Sequence, residues 1–380
     1  MQQNFKFNPG LHGIRCIAAM GVFFFHWSQL FPGAGQWLAK FHYPGHLWVN
    51  LSLPMAIGWE GVPLFFVLSG YLLTSQWAGR TLVWPQIMRF YQRRALRIYP
   101  AFWFQLILLL GMGYLLPKAF PIPSMRDLVL TGFLWINLPP VFVPPLSGVW
   151  WTLPVELMFY LCLPLLVWLT RKVGLTWVWL GAVVLTFCWR SAVIERYAGQ
   201  DLSGQLSVLD SLPGSLAVFM SGVGIALLQG RITPKWRRPM LWLAISIFLS
   251  IHAVLIHEIE VYWKGGILLV VFNTLLSLSM ALAVGAICTQ EAPRWLTRKV
   301  MVWLGDLSFG IYLWHFPLMI ILKTYWPALG TDVMESLGLL CVLLAGTLTM
   351  ASLSYYVIER PFMRLGRPPP SRCRARTPQK

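Results

Sequence analysis

The sequence predicts an all-α fold: a polytopic membrane helix bundle of about ten transmembrane helices plus one short re-entrant or interfacial segment, with both termini cytoplasmic. Three observations predict it. Apolar residues fill 57% of the 380 positions and charged residues only 11%, against roughly 45–50% and 25% in soluble globular domains. The apolar residues gather in runs of about twenty, such as Gly265 to Ala286 and Val333 to Ile358, each long enough to cross a hydrocarbon core of about 30 Å. The basic residues between the runs fall overwhelmingly in alternate loops.

The first run, 11–31, has Lys6 before it and could be mistaken for a signal peptide. It continues to Phe31 with no small-residue cleavage site after it, and His12, Arg15 and His26 are embedded in it, so it reads as a retained first helix. Hydropathy and turn signals place further helices near 58–78, 99–117, 152–170, 174–190, 213–229, 239–256, 265–288, 303–322 and 335–358. Leu128 to Leu138 is too short to span comfortably and is flanked by Pro121, Pro123, Pro139 and Pro140, which makes it the re-entrant or interfacial segment. The outer segments Pro32 to Gly58 and Pro117 to Trp151 are too short and Pro-rich for a soluble domain, and no internal repeat is visible. Residues 1–366 therefore form one membrane domain, and 367–380 form a basic, Pro-rich tail expected to be disordered on the cytoplasmic membrane surface.

With the N-terminus inside and ten crossings, all Lys and Arg fall on the cytoplasmic side except Lys40, Lys118, Arg126, Arg190, Arg196, Lys264 and Lys323. Counting Leu128 to Leu138 as a full crossing would reverse every later loop and destroy this positive-inside bias. The net charge of +17 thus reflects membrane orientation and gives no reason to expect nucleic acid. Six cysteines have no paired spacing and read as small apolar packing residues. His42 and His46 are separated by Pro44, which argues against a helical metal pair, and no metal is expected.

An ionisable group within a span costs at least about 2.5–3.5 kcal/mol at mid-depth, so each is a functional candidate. Arg15 and His26 are eleven positions apart, which returns them to the same helix face about 16 Å apart along the axis. That layout suits a cation anchoring an anionic donor while a base works at its far end; a snorkelling arginine and a histidine bonded to a neighbouring helix fit it equally. Arg89, Arg93, Arg94 and Arg97 form a stripe that suits lipid headgroups or the phosphates of a nucleotide-bearing donor. Glu156 follows Trp151, Thr152, Leu153 and Pro154; its carboxylate would favour a helix N-terminus or orient an imidazole from another helix. His315, before Phe316 and Pro317, would serve helix-kink packing or chemistry.

With those residues in view, the chain resembles the acyltransferase 3 family of bacterial membrane acyltransferases, in ordered blocks from Leu11 to Arg367. They are Leu11-His12-Gly13-Ile14-Arg15 with His26; Gly61 to Tyr71; Arg94-Ala95-Leu96-Arg97-Ile98-Tyr99-Pro100; Trp151 to Glu156 with Phe159-Tyr160; Leu304-Gly305 through Tyr312 to Pro317; and Ile358-Glu359-Arg360-Pro361. The resemblance implies transfer of an acyl group, commonly acetyl from acetyl-CoA, to a hydroxyl of a cell-surface glycan, lipid-linked sugar or small metabolite. Acyl-CoA would be a co-substrate, with no bound cofactor. It implies a donor site at Arg15, Arg94 and Arg97 and catalysis by His26 as general base; beside these, Glu156 is expected to take part in catalysis and Ser69, Tyr71, Trp151, Tyr160 and His315 to line the site. The expected partners are acyl-CoA, the glycan or lipid-linked acceptor, membrane lipids and a polysaccharide biosynthesis or export complex, and the expected location is a bacterial inner membrane. Two positions depart from the family, which often has an acidic residue where this chain has His12 and Pro63; Glu60 lies close to the second. The family's appended extracytoplasmic hydrolase-like domain is not expected, so the acceptor would be taken directly or the acyl group passed to a separate protein. Two other readings stand beside the enzyme: a transporter or flippase of a lipid-linked sugar, since buried Arg and His also suit substrate passage, and an inactive envelope-assembly partner.

Overall fold

The structure, a computed structural model, describes residues 8–39, 42–43, 47–48, 50–77, 81–288 and 292–366. The tail from 367 onward lies outside the described residues, as do Lys6, Lys40, Arg80, His46 and the side chain of His42.

Helix α1 (Pro9–Leu30) starts with Asn8 accepting the Gly10 N–H at 2.9 Å and with Pro9 in the first turn, where no intrahelical N–H is needed. Pro32 ends it, and α2 (Gly33–Ala39) leaves at 97°. A two-residue antiparallel pairing joins His42–Tyr43 to Leu47–Trp48. Helix α3 (Leu53–Ala56) and a 3-10 turn at Gly58–Glu60 lead into α4 (Gly61–Ser75). Helix α5 (Trp84–Leu115) has 32 residues, whereas α6 (Met125–Gly132) has only 8 and is capped by Ser124. A 3-10 turn at Gly148–Trp151 opens α7 (Thr152–Val173). Gly174, at φ +93°, turns the chain into α8 (Leu175–Arg196) through one residue, a conformation that a side chain would strain.

Helices α9 (Leu206–Leu209), α10 (Leu212–Leu228), α11 (Arg237–His257), α12 (Ile259–Tyr262) and α13 (Ile267–Cys288) follow. Helices α14 (Lys299–Asp306) and α15 (Ser308–Tyr325) meet at a 68° bend. Helix α16 (Val333–Leu353), capped by Asp332, continues through a π-helical turn at Ser354–Glu359 into α17 (Arg360–Leu365).

The all-α bundle expected from the sequence is therefore present. Among the described residues, seven helices are individually long and apolar enough to cross a membrane, and counting each bent pair as one span raises this to nine. The tenth expected span coincides with α4, whose 15 residues cover about 23 Å. Leu128 to Leu138 begins in the short α6 and then leaves helical geometry at Leu134 and Asn137, both at positive φ, so it does not form a spanning helix. Three boundaries differ from expectation. The helix expected at 99–117 begins at Trp84, which puts the arginine stripe on the helix itself. The helix expected at 303–322 begins at Lys299 and bends. The last span extends to Leu365 through the π-turn.

Helices α4 and α10 approach closely where Gly70 faces the Phe219 carbonyl and Gly222 faces the Val67 carbonyl; a Cβ at either position would strike backbone. Small residues allow such approach in lipid, where no hydrophobic drive brings helices together. Phe66 stacks on Phe219 and Phe219 on Phe159, at centroid separations of 4.4 and 4.0 Å, tying α4, α10 and α7 together.

Candidate functional site

Two cavities lie end to end in the bundle and share Val62, Phe66 and Tyr312 as walls. The first, about 320 Å³, collects side chains from α1, α4, α5, α7 and α15, including Arg15, Arg94, Arg97, Ser69, Glu156 and Tyr160. Each guanidinium is held differently. Arg15 Nε donates to Ser308 Oγ at 3.1 Å, at the start of α15 after the bend. Arg97 meets the buried carboxylate of Glu359 at 3.3 Å and lies 5.5 Å from the Phe309 ring centre. Arg94 lies 5.9 Å from the centres of Phe90 and Tyr160, and its Nε has no hydrogen-bond partner among the described residues. Three guanidinium groups face one cavity carboxylate, Glu156, so an anion entering here meets a positive field in a low-dielectric wall.

The Glu156 carboxylate accepts from Ser69 Oγ at 2.9 Å and from the Tyr160 hydroxyl one turn along α7. It thus belongs to the arginine cavity and does not orient an imidazole. Tyr71, expected to line the site, is buried between helices and donates to Gln229 Oε1 at 2.9 Å, outside both cavities. At the departures noted above, His12 lies 2.7 Å from the Asp306 carboxylate, while Glu60 is bonded to His252 at 2.6 Å and lines neither cavity.

The second cavity, about 90 Å³, is lined by His26, Trp59, Trp151, Asp210, Ser215 and Asn273, among others. His26 Nδ1 is 3.1 Å from His315 Nε2 and 3.1 Å from the Val22 carbonyl, and the two rings are 5.1 Å apart. The hydrogen bonds fix the proton positions of the neutral pair. His315 Nδ1 lies 2.9 Å from the Ile311 carbonyl, which only accepts, so Nδ1 carries the proton and Nε2 the lone pair. That lone pair, like the Val22 carbonyl, needs a donor, which places the His26 proton on Nδ1. His26 Nε2 is then left with a free lone pair and no partner among the described residues. An imidazole so arranged can act as a base, and the lone pair of the fully buried His315 would stabilise the charge it then acquires.

Close to His315, α15 lacks one backbone hydrogen bond. Pro317 has no N–H to give the Leu313 carbonyl; Gln105 of α5 donates Nε2–H to it at 2.6 Å, and the Gln105 oxygen accepts the Trp150 indole N–H at 2.7 Å. In lipid an open carbonyl costs several kcal/mol. Gln105→Leu is therefore expected to destabilise the fold by about 2–4 kcal/mol, since two buried groups lose their partners. The measurement is the apparent melting temperature in detergent, and an unchanged value would show that Gln105 is not needed to satisfy the open carbonyl.

The sequence named Arg15, Arg94, Arg97, Ser69, Glu156 and Tyr160, which the structure gathers in one cavity, and His26 and Trp151, which it gathers in the other, with His315 bonded directly to His26. It did not single out Asp210, Asn273, Trp59 or Gln105. Asp210 carried one usable signal, an acidic residue beside a span.

Residues 8–357 match a family described as Acyltransferase domain. The chain is also similar to O-acetyltransferase OatA of Staphylococcus aureus strains NCTC 8325 / PS 47, COL and MRSA252, at 23% identity in each case over 95% of this chain. The chain spans 58% of the length of those relatives. No solved structure matches it. A multi-pass bundle matched by that family from α1 into the π-turn is an integral membrane protein, and the chain belongs to the acyltransferase family.

Proposed function

We propose that the protein is a membrane O-acetyltransferase that moves an acetyl group from acetyl-CoA, bound at the arginine end, to a sugar hydroxyl presented at the histidine end. The observation that carries this reading is the pair of adjoining cavities, one lined by three guanidinium groups and the other by an imidazole with a free Nε2. The distances agree with the donor's chemistry. Arg15 and His26 are about 16 Å apart along α1, and a pantetheine arm has about a dozen skeletal bonds, roughly 15 Å when extended. Phosphates held by Arg15, Arg94 and Arg97 would let the thioester pass Val62, Phe66 and Tyr312 to reach His26. The positive-inside bias of the basic loops supports both termini in the cytoplasm, which would put the arginine end where CoA is made and suits a bacterial inner membrane.

In the transfer, the acceptor oxygen attacks the thioester carbonyl while His26 Nε2 takes the hydroxyl proton. The tetrahedral intermediate collapses, the carbon–sulfur bond breaks, and the imidazolium returns the proton to the leaving thiolate. The products are the O-acetyl ester, free CoA thiol and neutral His26. His315 is a positioning residue: its Nε2 accepts from His26 Nδ1–H and keeps the proton-accepting Nε2 of His26 facing the cavity.

The test supplies acetyl-CoA labelled in the acetyl group to the purified protein in liposomes with an extract of cell-surface glycan. The expected result is acceptor-dependent release of free CoA and label on the glycan. Translocation of a lipid-linked sugar with acetyl-CoA left intact would overturn the proposal in favour of a transporter.

A further inference from the structure

Beyond the bases and cations of the reaction, the His26 cavity contains a set of groups with no role in moving a proton or holding CoA. Asp210 stands just before α10, Asn273 in α13, Trp59 in the 3-10 turn before α4, and Trp151 at the start of α7; all line the cavity with His26. Asp210 Oδ1 receives Arg190 at 2.5 Å and Asn273 Nδ2 at 3.0 Å. Arg190 is 1% exposed and also donates to the Leu269 carbonyl at 3.0 Å, so it balances the carboxylate from behind and does not line the cavity. The Asn273 oxygen has no partner among the described residues, so the amide's hydrogen-bonding capacity is only partly used.

We propose, on the acyl-transfer reading above, that Asp210, Asn273, Trp59 and Trp151 form the acceptor subsite, and that it takes the hydroxyl-bearing edge of a neutral sugar ring. Each part of the chemistry points this way. A carboxylate and an amide side by side match neighbouring sugar hydroxyls, one donating to Asp210 and the other exchanging hydrogen bonds with Asn273. Indole faces cover the apolar C–H face of a pyranose, and the polar edge remains free for the side chains. The cavity's 90 Å³ admits an edge of a ring, not a whole oligosaccharide, which leaves the remaining chain outside the bundle. Among the described residues no Lys or Arg lines this cavity, and Arg190 behind it is spent on Asp210 and Leu269, so a uronate or phosphorylated sugar would bring an unpaired negative charge beside Asp210. The acetylated hydroxyl is then the neighbour of a hydroxyl held by Asp210, and it lies against His26.

The experiment uses membranes from the producing cells, which contain both the protein and its own acceptor, and follows transfer of labelled acetyl from acetyl-CoA. Asn273→Ala and Trp59→Leu are the variants of choice, because removing Asp210 itself would strand a buried arginine. Both are expected to lower label transfer to glycan at least tenfold at saturating acetyl-CoA while the KM for acetyl-CoA keeps its wild-type value. Methyl glucoside is expected to inhibit transfer at lower concentration than methyl glucuronide. Wild-type transfer in both variants overturns the subsite, as does a parallel rise in the acetyl-CoA KM, which would mark a merely structural role. Stronger inhibition by the glucuronide, or no inhibition by either glycoside, also overturns it. If wild-type membranes transfer no acetyl at all, it is the acyl-transfer reading that fails, and this is seen before any variant is compared.

Discussion

Replacing His26 with alanine is expected to reduce acetyl transfer by about 10²–10⁴-fold, the usual contribution of a positioned acid–base group, while the protein still inserts and accumulates. The reason is geometric: His26 Nε2 is the unpaired imidazole nitrogen of the pair, with Nδ1 committed to Val22 and His315. His315→Ala should cost less, about 10–100-fold, because the base survives but its tautomer and orientation are no longer fixed. His315→Gln should recover part of that loss, since an amide oxygen also accepts from His26 Nδ1–H. Rates of CoA release in liposomes decide the matter. Transfer by His26→Ala at the wild-type rate would remove the base from the mechanism, and equal rates for His315→Ala and wild type would remove the positioning role.

The second large effect concerns Glu359. Its carboxylate, 1% exposed, is the partner of Arg97 at 3.3 Å. Glu359→Ala leaves that half-buried guanidinium without its counter-charge; breaking a fully buried pair costs about 3–5 kcal/mol, which sets the upper bound here. The measurement is thermal unfolding in detergent. Free CoA should then restore more stability to the variant than to the wild type, because its phosphates replace the missing negative charge. At a hundredfold excess over the dissociation constant, ligand binding contributes about 2.7 kcal/mol. A variant with wild-type stability would show that Arg97 does not depend on the pair. A destabilised variant that CoA fails to rescue would place the phosphates elsewhere.

Both predictions rest on contacts that the sequence did not disclose. His26 and His315 are 289 positions apart, Arg97 and Glu359 262. Nothing local requires those residues to meet. The motif blocks drew attention to Glu359 and His315, but Ile358-Glu359-Arg360-Pro361 gave no hint that its carboxylate faces an arginine of α5. The same lack of local signal explains Glu156. Its position at the start of a helix fitted two roles on sequence grounds; its bond to Tyr160 lies within one turn of α7, but its bond to Ser69 follows from how α4 and α7 are set against each other.

By itself the sequence determined the solvent and the element type, because a run of about twenty apolar residues must be a helix wherever lipid denies its backbone any other partner. It also determined that Arg15 and His26 share a face of α1, since that follows from helical periodicity alone. Only the tertiary structure decided that these groups divide between two adjoining cavities, that Gln105 of α5 takes the carbonyl Pro317 leaves open in α15, and that Asp210 and Asn273 stand beside the imidazole. Helix-to-helix pairing in lipid is set by close contact between small residues and by individual polar bonds, and neither leaves a periodic trace along the chain.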